Sequence, residues 1–264
     1  MASSLAAVVA GPARRGKPGL PRLLRGLVRA AAGLAAAGWA VAAMAGAGVA
    51  SPAATDPAPL PALAAQFRVT LSRPGLAPRQ QTWQLVRSAD QISWQKGPGT
   101  EEIWRRDASG IRLARVMRAD RHVIDYSAGE LRALEVAVDW LALASLFPAA
   151  RLALLKAMPS PQGQGQGKTQ HWVGRIGAEQ VDLLWDPVAQ LPARLARSGP
   201  GGRVLFERTA LQASIPAHWP QPGAGIDDFQ RVDAADFGDM DYNPVVRKAQ
   251  ALDQRAGWRR GHAD

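Results

Sequence analysis

From Gln66 onward the chain alternates apolar and polar residues with a period of two. QFRVTLS sets Phe67, Val69 and Leu71 on one side and Arg68 and Thr70 on the other, the pattern of a strand wet on one face. QTWQLVR repeats it with Trp83 and Leu85, QISWQK with Ile92 and Trp94, and IRLARVM with Ile111, Leu113 and Met117 against Arg112 and Arg118. EEIWRRD and HVIDY look like shorter members of the series. The intervening SRPGLAP, RSAD, KGPG and RDASG are rich in Gly, Pro, Asp and Ser, which supply the backbone angles of turns. The pattern predicts an antiparallel meander of about six strands.

Between residues 130 and 158 the period changes to that of a helix. In ELRALEVAVDWLALASLFPAARLALLKAM, Leu131, Leu134, Val138, Leu141 and Leu143 fall on one side, and Pro148 divides the run into two helices. The segment is apolar over more than one stripe, so it needs cover on more than one side. Two readings follow: a helix pair that plugs the sheet, or a lid over a cavity with Val138, Leu141, Leu143, Leu146 and Phe147 as its apolar contacts.

A second run of alternation then begins. TQHWVGRIG places Trp172 with Ile176, VDLLWDP places Val181, Leu183 and Trp185 together, and LPARLARSG and GRVLFERTAL complete four more strands. About ten strands interrupted by one helical insertion are expected to form an α+β fold, a strongly curved antiparallel sheet or half-barrel wrapping a helical lid or plug. The inward residues of both runs, from Phe67 to Trp185, are the candidates for an apolar ligand cavity. Trp83, Trp94, Trp104, Trp172 and Trp185 could line that cavity, but core packing is the first reading for them, because tryptophan fills large spaces and its N–H needs one partner.

The termini differ from this body. Residues 1–50 carry Arg14, Arg15, Lys17, Arg22, Arg25 and Arg29 with no acid, followed by AAAGLAAAGWAVAAMAGAGVA. A basic stretch before an apolar, small-residue stretch is expected to act as a cleaved signal peptide, giving a periplasmic or secreted protein. An uncleaved inner-membrane anchor is the alternative. The Pro-rich segment 51–65 reads as a tether, 66–215 as the half-barrel domain, and 216–264 as an acidic tail. Within the tail Asn243 and Pro244 are expected to cap and start a short helix reaching about Arg255.

The net charge of the 264-residue chain is +10. It falls to +4 without the six basic residues of the leader, so no nucleic-acid partner is expected. The absence of cysteine removes thiol catalysis, disulfides, cysteine zinc sites and an acylated N-terminal cysteine from consideration.

Two motifs look chemical and fail on context. PSPQGQGQGKTQHW (159–172) contains GKT, but Gln162 stands where a phosphate loop needs its first glycine, and a strand rather than a helix follows. No nucleotide is expected there, and the segment reads as an exposed Gln/Gly joint. D-F-G at 236–238 has no Gly-rich loop or H-R-D-L companion. Asp227 to Asp241 holds six acids and one base, yet the spacing is not that of a calcium loop, and a segment docked on the Arg-rich sheet is expected. The histidines at 122, 171, 218 and 262 are isolated, though His122 has Asp125 and Asp182 as candidate spatial partners. No cofactor, metal site or catalytic residue is expected, and the protein is read as a non-catalytic binder.

The stretch VDLLWDPVAQLPARLARSGPGGRVLFERTAL resembles the periplasmic lipoprotein-carrier superfamily of LolA and LolB, with RseB and LppX as relatives. Asp186 ends a strand, Leu191 and Pro192 begin the next, and Gly201 and Gly202 form the following turn. The resemblance implies a deep apolar concavity that takes acyl chains beneath a lid. Its expected partner is a lipid or lipidated protein, bound for carriage or sensing. The alternatives are an envelope protein-interaction module whose half-barrel is filled by its own helices, and an enzyme with dispersed catalytic residues.

Overall fold

A computed structural model describes residues 60–97, 99–159 and 169–258. The expected signal peptide, most of the tether and most of the Gln/Gly joint lie outside the described residues.

Six strands form the first meander: β1 (Leu63–Arg73), β2 (Leu76–Arg87), β3 (Gln91–Lys96), β4 (Thr100–Asp107), β5 (Gly110–Met117) and β6 (His122–Tyr126). Helices α1 (Ala128–Ala133) and α2 (Trp140–Ser145) and a 3-10 turn (Ala149–Leu154) follow. The second meander comprises β7 (Lys156–Met158), β8 (Gln170–Ile176), β9 (Glu179–Asp186), β10 (Leu191–Gly199) and β11 (Gly202–Gln212). The last described elements are β12 (Gln230–Asp233), a 3-10 turn (Ala234–Gly238) and α3 (Pro244–Arg255).

All twelve strands join one open, curved sheet in the order β12-β6-β5-β4-β3-β2-β1-β11-β10-β9-β8-β7. The pairing of β1 with β11, Val69 opposite Phe206, joins the two meanders. This order dictates where the helices go. The first meander runs outward to β6, whereas β7 begins at the opposite edge, ten strand spacings away. Along the sheet that is about 48 Å. The segment from Ser127 to Leu155 connects these edges with short helical pieces, so it passes across the concave side. There Leu131, Leu134, Trp140, Ala144, Leu146, Phe147 and Leu155 share one core with strand residues from both meanders.

Three expectations need correction. The sheet has twelve strands rather than about ten, because β7 was hidden at the end of the helical run and β12 in the acidic segment. The two helices expected over 130–158 are six-residue helices followed by a 3-10 turn. A left-handed residue, Glu135 at φ 54°, stops the first helix, and Asp139 restarts it by accepting from the Ala142 N–H at 2.9 Å. The tether ends earlier than expected, because Leu63, Ala64 and Ala65 already belong to β1 and are buried.

The described part of the expected tail, residues 216–258, is built into the body. β12 extends the sheet as a parallel neighbour of β6, Val232 opposite Ile124. Before it, Ile226 and Phe229 cover Ile103, Ala114, Val116 and Val123 on the convex face. After it, α3 turns to the concave side and buries Val246, Ala249 and Asp253. Its start is the one read from the sequence: the Asn243 side chain accepts from Val245 N–H at 2.8 Å, with Pro244 in the first turn.

Candidate functional site

The alternation that builds the strands also sorts their side chains. Phe67 stands opposite Trp83, Leu85 opposite Trp94, Trp104 opposite Leu113, and Trp172 opposite Leu183. These pairs share the concave face. Of the positions singled out as inward, Phe67, Val69, Leu85, Ile92, Trp94, Leu113, Met117, Leu183 and Trp185 are fully buried there. Leu71, Trp83, Ile111, Trp172 and Ile176 pack against the same core and remain partly accessible. Rings of Phe67, Trp83, Trp94 and Phe206 form a chain with centroids 5.5–6.2 Å apart.

The helical segment fills this face. Leu146 and Phe147 are buried in it, and Val138 and Leu143 pack against it partly buried. Leu141 instead lines a cavity of about 170 Å³ with Leu60, Ser145, Ala149, Trp185 and Gln190. A ligand pocket normally needs about 300 Å³ or more, so this cavity is too small to take a ligand as it stands. A larger space of about 370 Å³ lies on the convex side between Ile103, Ala114, Gly223 and Ile226, with Arg105, Asp227 and Arg231 at its rim.

Two arginines interrupt the apolar wall. Arg87 and Arg115, which the sequence analysis did not single out, are buried, each 2% exposed. The signal was present, since Arg87 follows Trp83 and Leu85 at the same period and Arg115 lies between Leu113 and Met117. Arg87 meets backbone carbonyls only. Its Nε donates to Pro61 O at 3.0 Å, Nη1 to Ala144 O at 2.8 Å and Gln190 O at 3.2 Å, and Nη2 to Ala189 O. Burial pushes its pKa down to about 10, leaving it charged at neutral pH. One side chain thus holds the chain entry, the last turn of α2 and the β9–β10 turn. The Ala144 carbonyl is among those a helix leaves without an internal partner at its C-terminal end, which is why a buried donor suits it. Trp94 adds a second tie, its Nε1 donating to Leu143 O at 2.8 Å.

The helix so held is bracketed by strain. Glu135 before it and Leu146 after it both adopt left-handed angles, φ 54° and 60°, without being glycine. Such residues cost about 1–3 kcal/mol each and persist only where surrounding contacts impose them.

Arg115 sits near the other edge in an ionic group. Its Nη1 donates to Asp253 Oδ1 of α3 at 2.5 Å and to Tyr126 Oη at 2.9 Å. Glu102 lies 3.8 Å from Nη2 and accepts from Lys96 at 2.8 Å. Burial pulls the Arg115 pKa down, and Tyr126, Glu102 and Asp253 outweigh it, so the guanidinium is held above its ordinary value. Burial likewise raises Glu102, but Lys96 and Arg115 win and hold it below the usual carboxylate range.

The candidate pairing of His122 with Asp125 or Asp182 does not form. His122 Nδ1 faces the Asp120 carbonyl oxygen at 2.6 Å, while Asp125 pairs with Arg231 and Asp182 with Arg194 and His171. Among the described residues no group of three or more His, Cys, Asp and Glu is placed to hold a metal. None of their helices is long and apolar enough to cross a membrane.

No protein-family model and no curated protein matches the sequence. Solved structures do resemble the fold. PNGF-II, in two crystal forms, is 12% identical with TM-scores of 0.37 and 0.34, over 69% of this chain and 34% or 33% of that one. The chain therefore spans about a third of the length of PNGF-II. A LolA superfamily protein from Nitrosomonas europaea is 9% identical with a TM-score of 0.32, over 60% of this chain and 89% of that one. At these scores the likeness says nothing about ligand or activity.

Proposed function

We propose that this chain is a non-catalytic envelope protein, periplasmic or anchored on the periplasmic side, that takes an acyl chain of a lipid or lipidated protein into its half-barrel. The observation that carries this reading is the attachment of α2. An apolar wall runs across both meanders, and the short helix over it is bracketed by two strained residues and tied by Arg87 and Trp94 to its terminal carbonyls. A core meant only to be filled gains nothing from a buried charge that binds carbonyls, because burying charge is costly and apolar packing of similar volume is often as stable. A lid that leaves and returns does gain, because directional bonds define one closed position. With α2 displaced, the wall can offer an acyl chain about 0.8 kcal/mol per buried methylene.

The test is quenching of interior tryptophan fluorescence by a dibrominated stearoyl chain. Saturable quenching that weakens in the folded Leu85→Glu, Trp94→Arg double variant is expected. Quenching unchanged in that variant would reject the concave face as the site.

A second reading is favoured by the closed cavity of about 170 Å³: the half-barrel is filled by its own helices and the protein acts by binding another envelope protein. In that case no amphiphile accompanies the purified protein.

A further inference from the structure

Asp253 is the most buried carboxylate among the described ion pairs of the concave side, its side chain 4% exposed against 2% for Arg115. It reaches there on α3, whose exposed face is polar and whose fully buried apolar residues are Val246 and Ala249 alone. Arg115 belongs to the strand wall itself, with Ile124 opposite it on β6 and Glu102 on β4. Its guanidinium lies 5.2 Å from the Tyr126 ring centre and 5.0 Å from that of Trp258. Arginine offers five donors in a fork that matches two carboxylate or phosphate oxygens. Asp253 accepts from Nη1 and Glu102 lies 3.8 Å from Nη2, while the buried Nε of Arg115 has no hydrogen-bond partner among the described residues. The wall therefore carries a cation with one donor to spare, next to the apolar stripe of Leu113 and Met117, and the carboxylate hydrogen-bonded to it arrives on a separate, mostly polar helix.

We propose that Asp253 stands in the place of an anionic head group. α3 is then an internal competitor, and Arg115 is the anchor for an acyl chain ending in a carboxylate or phosphate. The methylenes lie along the concave wall while the anion takes the Arg115 fork and the Tyr126 hydroxyl. This rests on the acyl-chain reading above and adds the class of head group and the element that must yield to it.

The experiment uses the full-length chain as wild type, Asp253→Asn, Asp253→Ala and the double variant Arg115→Met, Asp253→Leu. The double variant replaces the ion pair by apolar contact and keeps α3 docked. Palmitate, hexadecyl phosphate and methyl palmitate are titrated against each. Asp253→Asn is expected to bind palmitate or the phosphate about tenfold or more tighter than wild type, and to prefer the anion over the methyl ester by a similar factor, as a hydrogen bond to a charged group allows. The double variant loses that preference. Hexadecyl phosphate outcompeting palmitate assigns the anchor to phosphate, and the reverse assigns it to carboxylate.

A second arm needs no acyl chain: acetate, but not acetamide, raises the melting temperature of Asp253→Ala and leaves the double variant unchanged. Equal binding of acid and ester by Asp253→Asn overturns the anchor and leaves the acyl-chain reading standing. Acetate stabilisation with no acyl binding in any chain upholds the anion site and overturns the acyl-chain reading. Neither effect overturns both.

Discussion

The Arg87 guanidinium donates to the Ala144 carbonyl at 2.8 Å, joining β2 to the last turn of α2 across 57 residues of sequence. Four carbonyls from three regions converge on this one cation, and none of its contacts is a carboxylate. Arg87→Met removes every donor while keeping much of the side-chain volume. It is expected to cost about 3 kcal/mol in urea unfolding, because buried acceptors lose their partners. Hydrogen exchange should rise first at Asp139 to Leu155, with β1 and β11 remaining protected. Uniform exchange across the sheet would show that Arg87 supports the whole fold rather than the lid.

Strain at the front of the lid is open to a separate test. Glu135 is exposed and left-handed, so its side chain contributes little burial to set against the backbone cost. Glu135→Gly is expected to raise stability by about 1 kcal/mol, read as a higher urea midpoint at unchanged slope. Destabilisation would mean that the Glu135 side chain makes a contact outweighing its conformation.

The 3-10 turn has its own seat. A Cβ built on Gly174 of β8 would lie 2.9 Å from Leu155 Cδ2 and 3.3 Å from Leu155 Cα. Gly174→Ala therefore pushes backbone as well as side chain, and should cost about 2 kcal/mol as an overpacked contact. The expected change is faster exchange at Ala149 to Leu155. An unchanged exchange pattern would contradict the close packing of this turn on β8.

Glu102 supplies a pH dependence with a definite sign. Its pKa is lower folded than unfolded, because Lys96 and Arg115 outweigh burial. Its contribution is thus full above the unfolded carboxylate value of about 4.3 and is lost as pH falls through the lower folded value. Urea midpoints of wild type should drop over that acidic window, and Glu102→Gln should flatten this part of the profile. An equally steep fall in Glu102→Gln would assign the acid sensitivity to other carboxylates.

Much of this architecture was legible from period alone. Phe67, Trp83, Leu85 and Trp94 share a face because alternation in a pleated strand leaves no other choice, and the turns at Gly and Pro fix where each strand reverses. The same rule, applied to charged residues, would have turned Arg87 and Arg115 inward. The sequence singled out neither, because Ala144 O and Asp253 satisfy them from elements 57 and 138 residues away. Non-local partners of this kind leave no trace in local pattern. β12 was missed for a related reason: QRVD has one apolar residue, and only the free edge of β6 makes it a strand. α3 was legible because its determinants, Asn243 and Pro244, are local.

The most direct measurement of the central claim is native mass spectrometry of the intact protein isolated without detergent from the cells that make it, beside the Arg87→Met variant. If the half-barrel opens to hold acyl chains, part of the wild-type protein carries an acyl-bearing adduct, and the unlatched variant changes that fraction while both remain folded. Bare protein mass alone in both samples, with both folded, would contradict the account and leave a half-barrel filled only by its own helices.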